Sequence, residues 1–158
     1  MAYAIRRARA EEVRPALEMA YRVFEVYEAP DYAPEAAMRF RADVVENEAA
    51  IRNWASGGRA LYIALDGEKI IGVIGEKWGN GHINIVFVDG AYHRRGIATA
   101  LMQEMIRDLQ TRGFERITLF SSPYAVPFYR HYGFIPTGEM QQADGFTFLP
   151  MAYNLVAG

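Results

Sequence analysis

The chain has 158 residues, 51% of them hydrophobic, no cysteine and a formal net charge of -2. A length of this order fits one domain spanning residues 1–158 with a sizeable buried core, and the apolar content excludes a disordered chain. The missing cysteine rules out a disulfide framework, thiolate metal sites and a thiol nucleophile. The near-neutral charge offers no field for broad nucleic-acid binding. No apolar run is long enough for a membrane span and no signal-peptide pattern is present, so a cytoplasmic location is expected.

Tyr3 to Arg7 predicts a short strand, and a helix follows in which Val13, Leu17, Ala20, Phe24 and Tyr27 recur at intervals of three and four. Glu11 and Glu12 suit the dipole of its first turn, and Pro30 with Asp31 closes it. Pro34 opens a second helical region, read as one helix or two, with Met38, Val45, Ile51 and Trp54 as apolar contacts up to Ser56-Gly57-Gly58. Ala60 to Leu65 and Lys69 to Glu76 flank Asp66-Gly67, a pair that accepts the positive φ of a hairpin turn. Gly79-Asn80-Gly81 joins the second of these strands to a third, His82 to Val88, giving three consecutive antiparallel strands. Alternation along that third strand places Ile83, Ile85 and Phe87 on one face and His82, Asn84, Val86 and Val88 on the other.

After Asp89-Gly90 the chain turns, and His93 to Thr99 leads into a helix whose apolar positions are Ala98, Leu101, Met102, Met105, Ile106 and Leu109. A helix start carries free N–H groups and a partial positive charge. With small residues at Gly96 and Ala98 and cations at Arg94 and Arg95, it reads as a phosphate site, the alternative being an ordinary capped helix. Arg116 to Phe120 reads as a buried strand, and a helix with Pro127 near its start ends at Gly133. Strands at Ile135 to Gln141 and Phe146 to Leu155 flank Ala143-Asp144-Gly145. The order β-α-α-β-β-β-α-β-α-β-β predicts an α+β fold of three-layer α/β/α character with a mixed, mostly antiparallel central sheet. An opening is expected between the strand at His82 to Val88 and that at Arg116 to Phe120, with the anion turn at one end.

Two stretches, VDGAYHRRGIATAL and SSPYAVPFYRHYGF, together resemble the GNAT superfamily of N-acetyltransferases. The first resembles its acetyl-CoA pyrophosphate motif, Gln/Arg-x-x-Gly-x-Gly/Ala, with His93 where the pattern prefers Gln or Arg. The second resembles the later helix ending Tyr-x-x-x-Gly-Phe, which carries a catalytic tyrosine in many members. The resemblance implies that Arg94, Arg95, Gly96, Ile97, Ala98 and Thr99 wrap the pyrophosphate of acetyl-CoA, the co-substrate. It also implies that Val86, Phe87 and Val88 offer backbone groups to the pantetheine arm. Ser122 stands where many relatives place an Asn on that arm; its other role is the helix N-cap. No metal is implied.

Acetyl transfer to an amine needs a neutral amine, a polarised thioester and a proton for the departing thiolate. By resemblance Tyr129 is the acid; the alternative is a buried aromatic among Phe128, Tyr132 and Phe134. His82, four residues before Val86, matches the strand position of the base in several branches of the family. Its alternative is a strand start in solvent, and Glu76 is the reserve base. The first two helices line the family's cleft, which makes Phe24, Tyr27, Tyr32 and Trp78, with Asn84, the candidate acceptor contacts. The implied function is transfer of acetyl from acetyl-CoA to a primary amine by direct attack in a ternary complex. A small-molecule amine is the preferred acceptor and a peptide or protein amine the alternative. The competing class is a non-catalytic acyl-CoA-binding module. Neither nucleic acid nor membrane is expected as partner, and the chain is expected to be a monomer or homodimer. A dinucleotide oxidoreductase is excluded because no G-x-G-x-x-G follows an early strand.

Overall fold

The computed structural model describes residues 3–155. In chain order the elements are β1 (Ala4–Arg7), α1 (Val13–Tyr27), α2 (Glu35–Phe40), α3 (Glu48–Ser56), β2 (Leu61–Asp66), β3 (Lys69–Glu76), β4 (His82–Val88), α4 (Ile97–Thr111), β5 (Arg116–Ser121), α5 (Val126–Tyr132), β6 (Ile135–Pro136), β7 (Gln141–Ala143) and β8 (Phe146–Asn154). Among the described residues no helix is long and apolar enough to cross a membrane.

The helical periodicity read from the sequence becomes two layers. α1 buries Val13, Leu17, Ala20 and Phe24 on one face of the sheet, against Ile63, Val73, Ile85 and Phe87. α4 buries Leu101, Met102, Met105 and Leu109 on the other, against Ala64, Ile71 and Ile74. The second helical region is interrupted rather than continuous. A π turn at Arg41–Val45, closed by the Glu46 amide donating to the Arg41 carbonyl at 2.8 Å, separates α2 from α3. Asn47 then restarts the helix by accepting from the Ala50 amide at 3.0 Å. Close approach of α4 explains Gly72: a Cβ there would lie 3.0 Å from Leu101 Cδ1 and 3.2 Å from Ile97 Cγ2.

The sheet runs β1-β2-β3-β4-β5-β8-β6, with β7 also on β8. Every pairing is antiparallel except β4 with β5, whose parallel contact is confined to His82 opposite Thr118 and Ile83 opposite Leu119. Beyond Ile83 the two strands part, and this is the expected opening. The expected strand at Ile135 to Gln141 is instead two short pieces: the Thr137 amide still donates to the Pro150 carbonyl at 2.8 Å, but Pro150 has no N–H to return the bond and the ladder stops there.

One local irregularity redirects β4. Its register with β3 runs from Gly72 opposite Val88 to Gly75 opposite Ile85, then steps to Glu76 opposite Ile83. Asn84 is the extra residue, a β-bulge that shifts the alternation by one. Ile85 and Phe87 therefore enter the α1 core, whereas Ile83 joins Val88 in the α4 core. The strict alternation read from the sequence grouped Ile83 with Ile85 and Phe87, and the bulge corrects it.

Candidate active site

The parting of β4 and β5 opens two adjoining cavities. The first, about 510 Å³, lies between the end of α1, the second half of β4, the loop into α4, and α5. The second, about 350 Å³, lies on the other side of the same gap, walled by α1, α2, β4, β5 and the β7–β8 hairpin. Glu28, Val86, Phe87, Ala125 and Tyr129 line both. The two cavities thus adjoin at these shared residues, which form the boundary between them.

The first chamber is built around the start of α4. Arg94 at φ 64 and Gly96 at φ 76 both take the left-handed conformation, alternating with Arg95. Left-handed residues in such alternation turn successive amides toward one side and make a concave anion nest, which leads directly into the unpaired N–H groups of the first helical turn. A Cβ added at Gly96 would meet nothing within 4 Å, so space is open there for an oxyanion and the positive φ is what demands glycine. His93 donates from Nε2 to the Val88 carbonyl at 2.7 Å and packs 4.7 Å from the Tyr27 ring, tying this loop to β4 and α1.

Of the residues expected at the cofactor, Val86, Phe87, Val88, Arg94, Gly96, Ile97, Ala98 and Thr99 line this chamber. Arg95 does not. Its guanidinium donates to the Tyr3 hydroxyl at 2.9 Å and lies over the ring of Tyr92, which itself lines the chamber. Ser122 lines the second chamber rather than the first, and its hydroxyl accepts the Ala125 amide at 3.2 Å at the entry to α5.

The expected acceptor residues divide between the chambers. Phe24, Tyr32 and Asn84 line the second, Tyr27 belongs to the first. Trp78 reaches neither; it is 63% exposed, with Arg59 and Lys77 against its ring. His82 lines the second chamber and not the first. Its Nδ1 is 2.8 Å from Thr118 Oγ1, and burial, with Lys77 nearby, lowers its pKa and favours the neutral ring. Glu76 is fully buried and turned to another purpose. Its carboxylate accepts from the Ala60 amide at 3.1 Å, the Gly81 amide at 2.8 Å and Arg112 Nη2 at 2.9 Å. A carboxylate held by three donors outside the cleft is unsuited to be a base there, which corrects the reserve assignment.

The group that sequence reading overlooked is Glu28. It follows the last turn of α1, with its amide donating to the Phe24 carbonyl at 3.0 Å, and stands where the chambers join. Burial pushes its carboxyl up to about 7, helped by Asp31 and opposed by a hydrogen bond from Ser122. Facing it, Tyr129 is 7% exposed, and burial, reinforced by Glu28 and Tyr32, raises its hydroxyl above the ordinary phenol range. The available signal was spacing: Glu28 is four residues after Phe24 and shares its helical face. A carboxylate titrating near neutrality beside a protonated phenol provides a proton acceptor and a proton donor at one junction.

Comparison with known proteins follows the same lines. The model of the acetyltransferase (GNAT) domain family matches residues 28–155. Among curated proteins the chain is 36% identical over 61 residues to GCN5-related N-acetyltransferase 1, chloroplastic, of Arabidopsis thaliana, covering 36% of this chain and 31% of that one. It is 42% identical over 55 residues to histone acetyltransferase TAP1 of Glycine max, covering 35% and 24%. The matched segments thus span less than a third of those relatives' length. Among solved structures, a GCN5-related N-acetyltransferase from Rhodopseudomonas palustris superposes with a TM-score of 0.83 at 21% identity, covering 98% of this chain and 96% of that one. The PaiA N-acetyltransferase from Thermoplasma acidophilum, in complex with coenzyme A, gives 0.78 at 18% identity, covering 98% and 99%.

Proposed function

The chain belongs to the GNAT acetyltransferase family, and from that premise we propose that it moves an acetyl group from acetyl-CoA to a primary amine by direct attack in a ternary complex. The observation that supports this reading best is the junction: a chamber with an anion nest at one end and an apolar chamber on the far side meet at Glu28 and Tyr129. The nest of Arg94 and Gly96 and the first turn of α4 suit a pyrophosphate. The edge of β4 at Val86 to Val88 that β5 leaves unpaired, its Val88 carbonyl alone being taken by His93, suits an extended amide-bearing arm that adds to the sheet as a strand would. These positions bring a thioester to Tyr129 and leave the second chamber for the amine.

In this reading Glu28 takes a proton from the incoming ammonium or attacking amine, and the base role passes from His82 to Glu28 because only Glu28 reaches both chambers. The nitrogen forms the new bond to the acetyl carbon as the carbon–sulfur bond breaks, and Tyr129 returns a proton to the departing thiolate. A raised phenol pKa is compatible with this step, since the burial that disfavours tyrosinate equally disfavours a thiolate in the same chamber. His82 and Asn84 then serve as wall of the acceptor chamber.

Thiol release from acetyl-CoA over an amine panel, paired with calorimetric titration of acetyl-CoA, tests the reading. Release with some acceptor is expected, and tight binding with no release on any amine would support a sensor instead. Tyr129→Phe is expected to lower kcat about a hundredfold, in the range for loss of a general acid, with acetyl-CoA affinity nearly unchanged. Full turnover of this variant at every pH would remove Tyr129 from the chemistry.

A further inference from the structure

Ahead of Leu149 the sheet sends out an arm. β5 pairs with β8 from Leu149 to Asn154, and β6 pairs with it at Met151 and Ala152. Among the described residues, the stretch of β8 from Phe146 to Phe148 pairs only with β7, Gln141 lying opposite Phe148 and Ala143 opposite Phe146. The segment that leads into this ribbon, Thr137 to Met140, is exposed throughout. Two strands alone have little stability, so the position of the arm depends on what holds its tip.

The tip crosses to the opposite wall of the second chamber. Asp144 and Gly145, both at positive φ, make the two-residue turn, and the Gly145 carbonyl accepts the Ala33 amide at 2.9 Å. Glycine is needed there for closeness too: a Cβ on Gly145 would lie 2.8 Å from Glu35 Cγ and 3.1 Å from the Ala36 nitrogen, at the start of α2. Behind the tip, Phe146 packs edge to face on Tyr32 with centroids 5.1 Å apart. Asp144 completes the contact by pairing with Arg39 of α2 at 3.1 Å. Asp144 and Phe146 on the arm, and Tyr32 and Arg39 opposite them, line the chamber, so this contact joins its two walls.

Little holds the contact shut. Arg39 and Asp144 are each at least half exposed, which limits what their pair contributes. Arg39 also has a second carboxylate, Asp43, 3.9 Å from its Nε, so release of Asp144 strands no guanidinium. We propose that the β7–β8 arm is a lid on the second chamber, clasped to α2 through Arg39 and Asp144, which swings open to admit the acceptor while the first chamber is undisturbed. That the passenger is an amine rests on the acetyltransferase reading; the opening of the arm does not.

The Ala33 amide is bonded across the clasp, and its hydrogen exchange, followed by NMR on the full chain, reports opening without any substrate. It should exchange well ahead of the β5 ladder, and Arg39→Ala should speed it about threefold while leaving the ladder unmoved. Protection equal to that of the ladder, or no response to Arg39→Ala, overturns the lid. A second measurement locks the arm. The chain has no cysteine, so in Arg39→Cys with Asp144→Cys a bifunctional methanethiosulfonate tethers that pair alone. Tethering should lower kcat/KM for the amine by about tenfold or more, leave acetyl-CoA affinity unchanged by calorimetry, and be reversed by dithiothreitol. The same double variant capped at both positions with methyl methanethiosulfonate carries the bulk without the tether and should match its uncapped form. Full turnover when tethered, a parallel loss of acetyl-CoA affinity, or an equal loss in the capped form overturns the proposal. If no amine releases thiol from any form while Ala33 exchange answers to Arg39→Ala, the acetyltransferase reading fails and the lid stands.

Discussion

Glu28→Gln is expected to lower kcat/KM for amine acetylation by roughly a hundred- to a thousandfold, within the range for loss of a general base. It should also abolish the acidic limb of the pH profile near 7. The sign follows from the direction of the shift. Burial raises the Glu28 carboxyl from 4.5 to about 7, so below 7 it is protonated and cannot accept a proton, and wild-type activity climbs as pH rises through that value. The amide has no such ionisation. A second limb at higher pH, from the substrate's own ammonium, is common to both enzymes and serves as the internal reference.

The same substitution moves stability the other way. A carboxyl whose folded pKa lies above its unfolded value binds more protons in the folded state between the two. Folding free energy is therefore lost as pH rises from 4.5 to about 7. The ionised form costs about 3 kcal/mol above that window at 1.36 kcal/mol per unit. Glu28→Gln should thus unfold at a higher temperature than the wild type at pH 8 and at nearly the same temperature at pH 4.5. Loss of activity with gain of stability is the mark of a group kept for chemistry rather than folding. If the variant keeps the acidic limb, the base lies elsewhere, and His82 is the next group to replace.

Glu76→Ala is expected to destabilise the fold by about 3–5 kcal/mol, the range for stripping one partner from a buried ion pair. The substitution leaves the Ala60 and Gly81 amides and one Arg112 nitrogen without their acceptor. Arg112 would still hold Asp108 at 2.7 Å, and Asp108 still accepts from the Tyr62 hydroxyl at 2.7 Å and from Arg7 at 3.0 Å, so the cluster is weakened rather than abolished. Its three anchor points are the start of β2, the turn into β4 and the end of α4, and Trp54 adds a fourth by donating to the Glu76 carbonyl at 3.0 Å. Chemical denaturation should show a lower midpoint at unchanged slope. A loss below about 1 kcal/mol would mean that the carboxylate is not bound in this way and would return it to the list of candidate bases.

The two motifs of this chain differ in how far they could be read in advance. The anion turn is written locally: a positive-φ glycine, an adjoining cation and a helix start lie within a few residues, and Gly96 with Arg94 takes the conformation such a turn requires. Arg95 carried the same local signal and failed, because its direction was decided by Tyr3 and Tyr92, one of them from the far end of the chain. Ile83 was misplaced for a related reason. A bulge is a property of two strands in register, and the alternation of β4 alone contains no mark of the extra residue opposite Glu76.

Periodicity, turn chemistry and element order were enough to determine the α+β class, the mixed sheet and the parting of β4 from β5, whereas Tyr129 of α5 was singled out by the resemblance of its segment to the GNAT motif. The first three depend on intervals of a few residues and on the geometry that backbone hydrogen bonding imposes. What only the tertiary structure decided was which ionisable groups are free to act. Glu76 and Glu28 are both glutamates at the ends of regular elements, and nothing local separates them. Glu76 is closed in by amides and by Arg112, whereas Glu28 is set beside Ser122, Tyr32 and Tyr129 in a gap between chambers. Desolvation and charge act through space, so the chemistry of a carboxyl is settled by neighbours that are distant in sequence.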